Sequence, residues 1–168
     1  DKLGVNEIEI ETEIQLEELL LNNPEFIEEG FRLLANQKRT TPYQKRIDLL
    51  GVDSTGTLTI LELKVKEDRD QLPQAIEYFD WLLERGISFF RDYFSELKIA
   101  NKAPRIILVA PKYGERTIKL GKYISEEIDL SFKKYFAFDV EGKTIIKLVD
   151  ENIPSKIEIE QPPLDEND

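Results

Sequence analysis

Apolar side chains along the 168 residues recur with two different periods, and the order of those periods predicts the architecture. Glu7-Ile8-Glu9-Ile10-Glu11 alternates and predicts a short strand or an extended lead-in. Thr12 then offers an N-cap with Gln15 three residues on, a capping-box pattern, and Ile14, Leu16, Leu19, Leu20 and Leu21 supply the stripe of a helix over 12–22. Asn22-Asn23-Pro24 stops it, and Pro24 opens a second short helix with Phe26 and Ile27 that ends near Gly30. Strands are predicted over Phe31–Arg39, Lys45–Asp53 and Thr57–Lys66, with Thr40-Thr41-Pro42 as a loop. Asp70 caps a predicted helix over 71–85, which tolerates Pro73 in its first turn, buries Ala75, Phe79, Leu82 and Leu83, and stops at Gly86. A further helix is predicted over Ile87–Ile99. Arg105–Ala110 reads as a strand buried on both faces, ended by Pro111. A helix over 114–127 follows, then a hairpin of Tyr135–Val140 and Thr144–Val149 around Glu141-Gly142. This order predicts an α/β domain with helices on both faces of a mixed sheet. It occupies 1–152 as one domain, and the acidic, proline-containing tail 153–168 is expected to be peripheral or partly disordered.

Three charged residues interrupt the predicted hairpin of 45–53 and 57–66. With Ser54-Thr55-Gly56 as a three-residue loop and Gly56 in the left-handed conformation, Asp53 faces Thr57 and paired positions sum to 110. Asp48 is then directly opposite Glu62, and Lys64 projects from the same face about 7 Å further along. A four-residue loop would set Asp48 against Leu61 and break the arrangement. Facing carboxylates need compensation. A structural ion pair with Lys64 supplies it, and so does a divalent cation held by two carboxylates and a backbone carbonyl, an oxygen set that suits Mg²⁺ or Mn²⁺.

Composition narrows the chemistry. There is no cysteine and no histidine, so thiolate sites, His-ligated zinc and imidazole bases are excluded. No apolar run reaches the roughly 20 residues of a membrane span, and the expectation is a cytoplasmic protein with no membrane partner. The net charge of −11 argues against a nucleic-acid partner, but its distribution weakens that objection. Residues 1–30 carry ten acids and one lysine (−9), 150–168 carry seven acids and one lysine (−6), and 31–149 carries 21 basic and 17 acidic residues (+4).

Asp48, a gap of 14, then Glu62-Leu63-Lys64 resembles the PD-(D/E)XK nuclease signature. Gln74-Ala75-Ile76-Glu77-Tyr78 is similar to the Gln-x-x-x-Tyr motif of RecB-like members. Thr12 to Leu16, with Asn23-Pro24 and Glu29-Gly30, resembles the helical lead-in of NucS-type endonucleases. The resemblance covers about residues 12–80. It implies a three-layer α/β/α restriction-endonuclease-like fold around a central mixed sheet, and a Mg²⁺- or Mn²⁺-dependent deoxyribonuclease of DNA repair, recombination or defence. It further implies that Asp48, Glu62 and the Leu63 carbonyl ligate the metal, with Glu13 approaching it through water and Glu17 as the alternative. Lys64 would orient the attacking water, while Gln74 and Tyr78 hold Lys64 or a DNA phosphate. Arg46, on the Asp48 face, would contact the backbone or simply be solvated. Lys45 stands where the family has glycine before Arg-Ile-Asp. The expected partner is DNA, structure-specific or single-stranded. The missing initiator Met leaves room for a neighbouring domain, and a homodimer is an alternative source of further DNA contacts. Two other readings stay open: a catalytically silent nuclease-fold module that binds nucleic acid or protein, and an α/β protein with a structural ion-pair cluster.

Overall fold

The computed structural model describes residues 4–34 and 49–153. Its strands are β1 (Val5–Ile8), β2 (Arg32–Leu33), β3 (Leu49–Val52), β4 (Leu58–Leu63), β5 (Arg105–Ala110), β6 (Asp129–Val140) and β7 (Lys143–Glu151). Its α-helices are α1 (Glu13–Asn22), α2 (Gln71–Arg85), α3 (Ile87–Tyr93) and α4 (Glu115–Ile124), with a 3₁₀ turn at Pro24–Phe26. The expectations for 35–48 and for the tail from 154 lie outside the described residues.

All seven strands join one mixed sheet in the order β1-β6-β5-β4-β3-β2, with β7 also on β6. β4, β5 and β6 are parallel at the centre, and β2, β3, β1 and β7 are added antiparallel. β6 organises one end. Asp129–Lys134 pairs with β5, Ala137–Val140 pairs with β1, and β7 runs along the other edge from Phe132 to Val140. The sheet therefore continues past the C-terminal end of β5 as a three-stranded antiparallel extension.

The period of two along β4 and β5 divides the core. Leu58, Ile60, Ile106 and Leu108 pack with Leu72, Ala75, Phe79 and Leu82 of α2 and Phe90 of α3. Leu61, Leu63, Ile107 and Val109 pack with Leu16 and Leu20 of α1. Both faces of the central strands are covered, which is why these strands lack polar alternation.

Local signals are met with informative shifts. The Thr12 hydroxyl accepts from the Gln15 N–H at 3.2 Å, while the Gln15 side chain accepts from the Glu11 N–H, one residue before the cap. Asp70 does not cap α2 through its side chain; the Asp68 carboxylate accepts from the Asp70 N–H at 2.8 Å instead. α3 stops at Tyr93 rather than Ile99, because the chain turns to bring the Ala100 N–H onto the Gly56 carbonyl at 2.7 Å. β6 begins at Asp129, six residues before the predicted start. The β6–β7 turn at Glu141-Gly142 has both φ angles positive, 53° and 82°, which matches the twist of a two-residue hairpin.

Candidate active site

The loop between β3 and β4 sets the geometry. Gly56 has φ 83°, its N–H donates to the Asp53 carbonyl at 3.0 Å, and the Asp53 N–H donates to the Thr57 carbonyl at 3.1 Å. Leu49, Leu50, Gly51 and Val52 then pair with Leu61, Ile60, Thr59 and Leu58, so every pair sums to 110. This is the register expected of the three-residue loop. The Asp53 carboxylate locks the turn by accepting from the Thr55 N–H and hydroxyl and from the Thr57 N–H. Burial works to raise the Asp53 pKa, but those donors and the Arg105 guanidinium hold it below the ordinary carboxylate value.

Glu62, only 3% exposed, is inside β4 on the face of Leu58 and Ile60, beneath α2. A carboxylate so deep in a strand is costly unless its surroundings or its function compensate. Leu63 points to the opposite face, in the α1 core. Lys64 follows the strand: its N–H donates to the Val109 carbonyl at 2.9 Å, and its ammonium lies 3.4 Å from Asp68.

α2 presents its first turns to this strand end. Gln71, almost fully buried, donates from one amide nitrogen to the carbonyls of Glu62 (2.9 Å) and Val109 (3.0 Å), tying β4 to β5 where both run out. Gln74 and Tyr78 lie one and two turns along the same flank, both half-buried. Gln71 was not singled out in the sequence, because nothing but its place at the first turn of a helix distinguishes it from Gln74. On the other face, Glu13 is exposed at the start of α1 and Glu17, one turn on, is buried. Tyr135 belongs to that face, and burial, with Glu13 and then Glu9 adding to it, pushes its phenol up to about 12. Gln71 thus ties the first turn of α2 to the backbone of Glu62; Lys64 follows two residues on in the strand, Gln74 and Tyr78 follow along α2, and Glu13 and Glu17 belong to α1, on the other face of the sheet. Asp48 and Arg46 lie outside the described residues.

The loops after β4 and β5 meet over the same end of the sheet, where open α/β sheets receive ligands. Lys112 pairs with Glu67 at 3.8 Å, and the Tyr113 hydroxyl donates to the Lys133 carbonyl at 2.6 Å with its ring against Phe132. At the opposite end, Arg105 binds Glu28 (2.5 Å) and Asp53 (3.3 Å), fastening the turn to the 3₁₀ region. Among the described residues no group of three or more acidic side chains is placed to hold a metal. Glu62 and the Leu63 carbonyl are hard oxygen donors of the kind Mg²⁺ and Mn²⁺ take.

The model of the endonuclease NucS C-terminal domain matches residues 12–134. The chain belongs to this family. Among curated relatives, endonuclease NucS of Pyrococcus furiosus is 35% identical over 125 residues, covering 73% of this chain and 39% of the relative. The NucS of Sulfolobus acidocaldarius is 31% identical over 117 residues, covering 69% and 40%. The chain thus spans about two-fifths of these relatives' length. A solved EndoMS–dsDNA complex aligns over 77% of this chain and 47% of its own with a TM-score of 0.50 at 24% identity, which shows a shared fold. The matched segment contains Glu62, Lys64, Gln74 and Tyr78 and ends within β6.

Proposed function

We propose that this NucS-family chain is the nuclease domain of a DNA-repair endonuclease, hydrolysing phosphodiester bonds with Mg²⁺ or Mn²⁺ on a PD-(D/E)XK site in a restriction-endonuclease-like fold. The observation that carries the reading is the sum-110 register of the hairpin. The described register ends at Leu49 and Leu61, one position short of the buried Glu62, which supports the expectation from the sequence that Asp48 faces Glu62. Asp48, Glu62 and the Leu63 carbonyl would hold the ion; the α1 acids Glu13 and Glu17 start from the other face of the sheet, so either would have to reach it around the strand end, through water. When bound, such an ion supplies charge neutralisation at the scissile phosphate and a more acidic water.

The chain's own residues account for the rest. Lys64 holds the attacking water by its ammonium and offsets negative charge that develops on the phosphate oxygens. Asp68, 3.4 Å away, orients that ammonium before substrate arrives. Gln71 fixes the backbone of Glu62 through the Glu62 carbonyl, and Gln74 and Tyr78 position Lys64 or the phosphate from the same flank of α2. Arg46 contacts the DNA backbone. The curated NucS relatives support endonuclease action, and the EndoMS neighbour's complex with dsDNA supports a DNA substrate. Because those relatives are longer, a further domain or a second copy would add the DNA contacts that an acidic chain lacks.

Isothermal calorimetry with Mn²⁺ tests this directly. Wild type is expected to bind the ion and Glu62→Ala to lose most of the heat while keeping its circular dichroism. Equal binding by both would refute the assignment and favour a silent module.

A further inference from the structure

Among the described residues, one face of the antiparallel extension carries no helix. β6 residues of the same parity as Phe132, in the α2 core, are Lys134, Phe136, Phe138 and Val140. Register adds Lys143, Ile145, Lys147, Val149 and Glu151 from β7, and Val5 and Glu7 from β1. Phe136, Ile145, Val149 and Val5 are 39%, 40%, 42% and 49% exposed, whereas Ala137 and Ile146 on the reverse face are buried. The helical cover ends at Phe132, where Tyr113 packs edge-on at 5.0 Å, and among the described residues no helix packs on the face beyond it.

This face continues the one that carries the site. Glu62, Leu108 and Phe132 form one row across β4, β5 and β6, and Ala110 pairs with Lys134 in the next row, level with Lys64. Phe136 stands one pleat beyond, roughly 7 Å along and two strand spacings, about 10 Å, across from Lys64. Phe136 and Phe138 are again roughly 7 Å apart. That interval suits the bases of an extended polynucleotide strand, and aromatic side chains on the centre strand of an antiparallel sheet are the arrangement on which unpaired bases stack. Cations flank the rings: Lys143 and Lys147 are exposed on either side of Ile145, and Lys134 pairs with Glu151 at 3.3 Å. Three lysines against two acids make this a locally basic face in a chain of net charge −11.

We infer that this bare face is a landing surface for an unpaired DNA strand, with Phe136 and Phe138 stacking its bases and Lys143 and Lys147 contacting its phosphates. It rests on the nuclease reading for the choice of DNA, and it deepens that reading by assigning the strand that leaves the cleavage site to residues beyond the matched family segment, which ends at 134.

The test is fluorescence anisotropy of a labelled 20-nucleotide oligothymidylate with the purified chain in EDTA, where no cleavage occurs. Phe136→Ala should weaken binding roughly ten-fold, Phe136→Trp should restore it, and Lys147→Glu should weaken it and lower its salt dependence. Both positions are exposed, and circular dichroism checks the fold. Absent wild-type binding, or binding unchanged by Phe136→Ala and Lys147→Glu, overturns the inference. So does tighter binding of blunt duplex than of the oligonucleotide. A wild-type dimer in sedimentation that Phe136→Ala dissociates would overturn it in favour of a second copy on this face. Because metal is absent, failed binding leaves Mn²⁺-dependent cleavage standing, and absent cleavage leaves this binding standing.

Discussion

Gln71→Met removes one amide and keeps the side-chain volume. The wild-type amide satisfies two buried carbonyls, those of Glu62 and Val109, at 2.9 and 3.0 Å. The Val109 carbonyl keeps the bond from the Lys64 N–H, so a methionine that fills the space without replacing either amide bond is expected to cost about 1–3 kcal/mol. Urea unfolding followed by circular dichroism should show a lower midpoint with an unchanged slope. The change also reaches the proposed site, because the Glu62 carbonyl is no longer tied to α2. The kcat of metal-dependent cleavage should fall by more than the KM rises, since positioning of Glu62 and Lys64 is lost rather than DNA affinity. A stability loss under about 0.5 kcal/mol, or a full loss with kcat untouched, would refute the claim that Gln71 couples the helix to the strand that carries Glu62.

Gly56→Ala should destabilise the chain by about 2–4 kcal/mol, because φ 83° disfavours a side chain and the new Cβ would meet the Lys98 carbonyl oxygen at 2.6 Å; an unchanged melting temperature would contradict the turn geometry. Asp53 titrates below its unfolded value, so its contribution is complete above the unfolded pKa and is lost as pH falls through the folded one. Asp53→Asn should therefore flatten the loss of urea stability below roughly pH 5 and lower stability at pH 7; parallel pH profiles for variant and wild type would refute the linkage.

Much of the centre was legible in the chain. β5 and α2 appear within their predicted bounds, because a continuous apolar run between Arg105 and Pro111 and a stripe closed by Gly86 leave few alternatives. The Ser54-Thr55-Gly56 loop was legible for the same reason: a glycine in the left-handed position fixes the register, and the register fixes the face on which Glu62 lies. The start of β6 was not. Asp129-Leu130-Ser131-Phe132-Lys133-Lys134 ends in two lysines and falls between the predicted helix and hairpin, yet Lys133 is buried and its ammonium lies 3.0 Å from Asp150 of β7. Leu97 continues the helical period of α3, but the bond from Ala100 to Gly56 draws the chain away. Gln71 and the bare face of β6 and β7 depend on which elements come to lie over which strands, and no local pattern encodes that.

The central claim is that Glu62 and Lys64 belong to a metal-dependent DNA-cleaving site. Its most direct test is cleavage by the purified chain of a panel of mismatched, branched and single-stranded DNAs, with and without Mn²⁺. Wild type should cut at least one substrate only with the ion, and Glu62→Ala and Lys64→Ala should both lose that activity while remaining folded. Undiminished Mn²⁺-dependent cleavage by Glu62→Ala would contradict it.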